Sequence, residues 1–281
     1  VVGRTSKRNA GAIIFCKSGE AKAFTIIELL VVMSIISLLL CILLPALSAS
    51  RAQGKKITCT SNLRQLLLAS IDYTHANQDS FFCAASDIYT NNLHRWYGMR
   101  DNKSAAFDWK NGPLKMYLGS GGVECPTHIN YVDLKPWEDG YDKGSGGYGY
   151  NMLYIGSTIW KDNYGDAGCK QAAKATSIRQ PAGTVIFTDS AMTMKGDLVE
   201  YSFAEPRYFI INGEADEHSG WNPAPSIHFR HRGGANVAWA DGHCDSQKMG
   251  KYDGTNEDGT RPADDDLGWF APMDNSMFDL E

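Results

Sequence analysis

The chain has 281 residues, 43% of them hydrophobic, and its 27 Lys and Arg face 32 Asp and Glu for a net charge of −5. That balance argues against a polyanion such as nucleic acid as partner. Seven cysteines with no Cys-x-x-Cys pair argue against a zinc-ribbon spacing and suit an oxidising, exported compartment.

Residues 1–23 are basic, with Arg4, Lys7, Arg8, Lys17 and Lys22 against Glu20, and read as a leader to be set apart from the fold. Residues 24–47 are an apolar run from Phe24 to Leu47. At about 1.5 Å per residue the run spans roughly 36 Å, against a hydrocarbon core of roughly 30 Å, which predicts a transmembrane stem. It exceeds the apolar core of about 7–15 residues found in a secretory signal. Glu28 is its one carboxylate, costly in lipid and in need of a partner. Pro45 lacks an N–H, so a kink or local melting is expected near Cys41 to Pro45. The basic leader fits a cytoplasmic N-terminus, although Arg51, Lys55, Lys56 and Arg64 lie just past the other end.

Residues 48–78 continue as an amphipathic helix. Leu63, Leu66, Leu67, Ser70, Ile71 and Thr74 recur at three- and four-residue steps, and the helix is expected to stop around Asn77 to Asp79. Residues 79–252 read as a globular domain of roughly average size, large enough for a core. Within it, Leu114 to Leu118 suggests a short helix, and Gly121 to Pro126 a turn and a short strand. The glycine-rich stretch Gly144 to Asn151 is followed by no Lys-Ser or Lys-Thr, so it reads as a loop leading into a strand rather than a phosphate cradle. Val185 to Asp189, set off by Pro181 and Gly183, is the clearest strand, and Tyr208 to Ile211 suggests another. Gly233-Gly234 and Asp241-Gly242 suit hairpin turns on either side of a strand over 236–240, predicting a three-stranded meander. Residues 253–281 are acidic and expected to form a solvated tail, with Trp269 and Phe270 able to pin part of it.

Outside leader and stem lie Cys59, Cys83, Cys125, Cys169 and Cys244, an odd number that leaves at least one unpaired. The pairing assigned is Cys59 with Cys125, which would staple the stem to the globular part. His228, His231, Asp241, His243 and Cys244 are the densest set of metal-ligand types. In a meander, however, His231 and Asp241 would sit about 15 Å apart at opposite ends of a strand, so a turn-fixing role outweighs a metal site. No Gly-x-Ser-x-Gly elbow is present. No catalytic residue is assigned, and the chain does not read as an enzyme.

Three patterns resemble a known group. Ala23-Phe24-Thr25-Ile26-Ile27-Glu28-Leu29-Leu30-Val31-Val32 is similar to the cleavage and methylation signature of type IV prepilins and type II secretion pseudopilins. Cys59, Asn62, Leu63, Arg64 and Gln65 match the Cys-x-x-Asn-Leu-(Arg/Lys)-Gln pattern of bacterial pilin-like proteins. His231, nine residues, then Asp241-Gly242 resembles their H-X9-DG element.

The resemblance implies an α+β fold with a long N-terminal helix packed on a C-terminal antiparallel sheet. It implies cutting before Phe24 by a prepilin peptidase, with Ala23 standing where the group usually has Gly, and N-methylation of Phe24. The stem would be retained as anchor and assembly element, broken near Pro45, with Glu28 neutralising the methylated terminus of a neighbour. The implied location is a bacterial inner membrane, crossed once, with the globular domain extracytoplasmic or in a surface filament. Implied partners are other pilin or pseudopilin subunits and the inner-membrane assembly machinery. No cofactor is required, although calcium at Asp264, Asp265 and Asp266 would suit the hard oxygen ligands pseudopilins use. Alternatives are a tethered module binding polysaccharide through its aromatics and, less favoured, a metal-dependent hydrolase.

Overall fold

The computed structural model describes residues 25–119, 122–127, 142–194, 196–218, 220, 222–256 and 259–281. The expected cut between Ala23 and Phe24 lies outside them. The chain divides into two units, Val1–Ser48 and Ala49–Glu281, and one helix, α1 (Ile26–Ala76), contributes to both.

In the first unit every described residue is exposed, including Ile26, Leu30, Ile35, Leu39 and Leu44. This helix is long and apolar enough to span a membrane. Helix runs unbroken through Pro45, contrary to the expected local melting between Cys41 and Pro45. Proline withholds one N–H from the carbonyl of Cys41, and a single missing bond is small beside the cooperative turns on either side.

The second unit begins with the rest of α1. Cys59, Leu63, Leu66, Leu67, Ser70 and Thr74 are buried and Ile71 packs against them, one face at helical spacing. Each fully buried leucine contributes about 1.5–3 kcal/mol relative to exposure. The helix stops where Gln78 and Asp79 turn left-handed, at φ 56° and 66°, and the Thr74 carbonyl accepts from the N–H of both Asn77 and Asp79.

Seven strands frame the site and its surroundings: β1 (Tyr148–Asn151), β2 (Val185–Asp189), β3 (Phe203–Ala204), β4 (Ile227–His228), β5 (Gly234–Trp239), β6 (Cys244–Lys248) and β7 (Leu267–Gly268). Five form one sheet in the order β6-β5-β2-β1-β3, antiparallel except for the parallel edge pair β1–β3. The architecture is α+β, a long N-terminal helix followed by a mainly antiparallel sheet domain.

Alternation along β5 sorts the core into two layers. Ala238 joins the helix leucines, Tyr148, Tyr150 and Phe187 on one face. Ala235, Val237 and Trp239 join Phe229, Phe270 and Phe278 on the other.

The segment expected as a solvated tail over 253–281 is anchored to the domain over 259–281, Trp269 and Phe270 pinning it as the sequence allowed. Trp269, Phe270, Asn275 and Phe278 are buried, and β7 pairs with β4. Asp264 to Asp266 precede these anchors and Asp279 and Glu281 follow them, so the acidic residues conceal them in the composition. β4 is also why the expected meander is incomplete. β5 and β6 form the Asp241-Gly242 hairpin, but β4 pairs with β7 instead of β5. Leu114 to Leu118 forms turns rather than a helix, and residues 122–125 belong to no strand.

Candidate functional site

Of the sequence-predicted site residues, Glu28 and Pro45 lie in the first unit and the rest of the described ones in the second, where Cys59, Asn62 and His231 gather and Asp241, Gly242 and Asp264 to Asp266 lie apart.

In the first unit, Thr25 and Glu28 bond reciprocally. The Thr25 N–H and hydroxyl donate to Glu28 Oε2 at 2.9 and 2.8 Å, and the Glu28 N–H donates to Thr25 Oγ1 at 3.2 Å. This is a capping box, satisfying N–H groups that a helix start leaves without partners. The Thr-x-x-Glu spacing shows it in four residues, and reading Glu28 only as an acid in lipid misses it. Pro45 stands inside the exposed helix.

In the second unit, the helix motif and the sheet motif meet. Cys59 on α1 is joined to Cys125 by a disulfide, with Cα atoms 5.1 Å apart. Asn62, one turn on, donates through Nδ2 to the Glu124 carbonyl at 2.8 Å, and Leu63 fills the core. Gln65 is exposed. The Cys125 N–H donates to the Gly146 carbonyl at 2.9 Å, tying this segment to the loop before β1. Gly146 has φ 69°, and a Cβ there would lie 2.1 Å from the Val123 carbonyl oxygen, so only glycine fits. The same loop does cradle an anion, the chain's own Glu200. Its carboxylate accepts from the N–H groups of Gly144 and Gly146 at 2.8 and 2.9 Å.

Beneath the disulfide sits His231, buried, with Nε2 3.7 Å from Cys125 Sγ and 3.3 Å from Asp189 Oδ2. Its position follows from the Arg230–Gly234 turn. Arg232 and Gly233 are left-handed, and the His231 N–H donates to the Gly234 carbonyl at 2.9 Å. Asp189 ends β2 fully buried. Its Oδ1 pairs with Arg230 Nη2 at 2.7 Å and its Oδ2 accepts from the Asn236 N–H at 2.7 Å. Burial alone would raise this carboxyl, but Arg230, His231 and the Asn236 N–H outweigh it and hold its pKa below the usual range. Arg230 also donates to the carbonyls of Gly147 and Ser190. Its Nη1 lies 3.3 Å from His228 Nδ1. Burial first, and then Arg230, push His228 down to about 3, so that ring stays neutral.

The expected metal set does not converge. Asp241, Gly242 and His243 form the β5–β6 turn, distant along β5 from His231. There Asp241 Oδ1 accepts from the His243 N–H at 3.0 Å and pairs with its Nδ1, the His243 ring stacks on Trp239, and Gly242 has φ 101°. Among the described residues, the donors that do converge are Cys59, Cys125, Asp189 and His231, all within 4.8 Å of one another. Asp189 and Arg230 are the participants that sequence reasoning leaves out. The one signal for Asp189 is an acid closing an otherwise apolar strand. Asp264, Asp265 and Asp266 lie in and just after a short 3-10 turn, Asp264 and Asp266 exposed, and Asp265 raised by burial and by its two acidic neighbours.

No family model, curated protein or solved structure matches the chain.

Proposed function

We propose that this chain is a pilin or pseudopilin-like subunit, anchored in a bacterial inner membrane by the first half of α1 and assembled into a filament through it. The observation that carries the reading is one uninterrupted helix with two characters. Its first half is apolar and exposed on all sides, and its second half is built into the sheet domain and bonded to it through Cys59 and Cys125. An all-round apolar helix is stable in lipid or against other copies of itself, and poorly stable in water. In the proposal the mature chain begins at Phe24, and its amine meets the Glu28 carboxylate of a neighbour, a pair that low dielectric strengthens.

Thr25 already engages Oε2 of Glu28, so capping and assembly must be separated by experiment. Glu28→Gln keeps a capping box and removes the charge, whereas Glu28→Ala removes both. Both variants are expected to insert and be processed, yet to release no polymer when cells are sheared. Normal filament yield from Glu28→Gln would reduce Glu28 to a helix cap and remove the charge pair. Mass spectrometry of the mature N-terminus tests the cut before Phe24 and its methylation. A tethered binding module would instead stay with the membrane after shearing. The burial of Trp96, Tyr97, Tyr148 and Tyr150 removes these rings as sugar platforms.

A further inference from the structure

We infer that Cys59, Cys125, Asp189 and His231 form a zinc site when the Cys59–Cys125 bond is reduced, so that this point in the fold alternates between a disulfide and a metal centre. Nothing in it depends on the filament reading.

Geometry carries it. Tetrahedral zinc with Zn–S of about 2.3 Å and Zn–N and Zn–O of about 2.0–2.1 Å sets ligand-to-ligand edges of about 3.6 Å for S–N and about 3.4 Å for N–O. The structure holds Cys125 Sγ 3.7 Å and Asp189 Oδ2 3.3 Å from His231 Nε2. Two edges of the tetrahedron are thus already at length. The sulfurs must part to an S–S edge of about 3.8 Å, and the other three edges already lie within 4.8 Å.

Charge agrees with geometry. In the oxidised state Asp189 is balanced by Arg230. In the reduced, metal-bound state two thiolates and Asp189 are balanced by Zn²⁺ and Arg230. The buried cluster is neutral in both states, as a low-dielectric site requires. Arg230 and the Asn236 N–H already orient the Asp189 carboxylate, as outer-shell partners do at metal sites.

The conversion balances. An external dithiol gives two electrons and two protons to the S–S bond and becomes a disulfide itself. Zinc then displaces the two thiol protons, while His231 binds through Nε2 in the tautomer carrying its proton on Nδ1. Four ligands would join α1 and the 122–127 segment, as the disulfide does, and would add β2 and the turn before β5 to the same link.

The test uses the full chain in detergent micelles, oxidised or reduced with a dithiol, and zinc or cobalt alone as probe. The reduced chain is expected to retain one zinc after desalting, the oxidised chain none, and reoxidation should expel the metal. Cobalt should give the visible absorption of a tetrahedral thiolate site. His231→Gln should weaken uptake about tenfold or more, and Cys244→Ser, outside the cluster, should leave it unchanged. Absence of uptake by the reduced wild-type chain overturns the assignment, as does equal uptake by the oxidised chain. Loss of uptake in Cys244→Ser would place the metal elsewhere and also overturn it. Should His231→Gln fail to fold, the comparison of reduced with oxidised wild type and the cobalt spectrum decide by themselves.

Discussion

The two halves of α1 share a backbone conformation and differ in what satisfies their side chains. From Thr25 to Ser48 no side chain is covered, whereas between Cys59 and Thr74 one face disappears into the aromatic core beneath it. Local propensity explains why both halves are helical, and only the second half has its stability accounted for within the chain. The first half leaves its apolar surface uncovered by any described residue. Helix continuity therefore says nothing about shared energetics: one half is an internal wall, the other an unfilled contact.

Five substitutions and a pH series test that contrast and the domain behind it, each read on detergent-solubilised protein by chemical or thermal unfolding. The largest effect is expected from Arg230→Met, which leaves the Asp189 carboxylate buried without its ion-pair partner and should cost about 3–5 kcal/mol. A loss below about 1 kcal/mol, the scale of an exposed pair, would show that the cluster is solvated. Next, Leu66→Ala should cost about 2–5 kcal/mol, while Leu38→Ala in the exposed half should move domain stability by less than about 0.5 kcal/mol. Equal losses at the two leucines would erase the distinction. Cys59→Ser opens a bond across a sequence separation of 66 and should cost about 2–4 kcal/mol. An unchanged midpoint there would mean that Asn62 and the core hold the helix unaided.

The smallest effect is one of pH, because two groups oppose each other. His228 is held neutral with its pKa lowered from 6.5 to about 3, so acidification below 6.5 protonates the unfolded chain first and stability falls toward about pH 3. Glu205, pushed by burial from 4.5 up to about 7, does the reverse: its contribution is fully present below 4.5 and is lost as pH rises through about 7. Between about pH 4.5 and 6.5 the two slopes cancel in part, and a shallow melting profile is expected. Glu205→Gln should make that window clearly acid-sensitive, and a profile no steeper than wild type would contradict the opposition.

Much of the helix can be read from the chain because its determinants are local. Leu63, Leu66, Leu67, Ser70 and Thr74 carry their own period, and Asn77 to Asp79 mark its end. Val185–Asp189 is legible for the same reason. The sheet order is not, because β1 finds β2 and β3 across long stretches of intervening chain, and strands of two to six residues have too little pattern to choose a partner. β4 shows the limit clearly: next to a Gly-Gly turn it looks like a hairpin arm, yet it pairs with a strand some forty residues away. The motif cysteine, histidine and Asp189 come from three distant places, so their meeting is a property of the fold and of no single stretch. The C-terminal segment misleads through averaging: its carboxylates dominate the composition while Trp269, Phe270 and Phe278 settle where it goes.

That segment has a practical consequence for anyone trimming the protein. It roofs the sheet face opposite α1, over Val237 and Trp239. A deletion from Leu267 onward would bare those side chains and favour aggregation. A cut through the exposed helix near Gln53 would leave Cys59 and the buried leucines in place. Soluble fragments should therefore be shortened at the front and kept whole at the back.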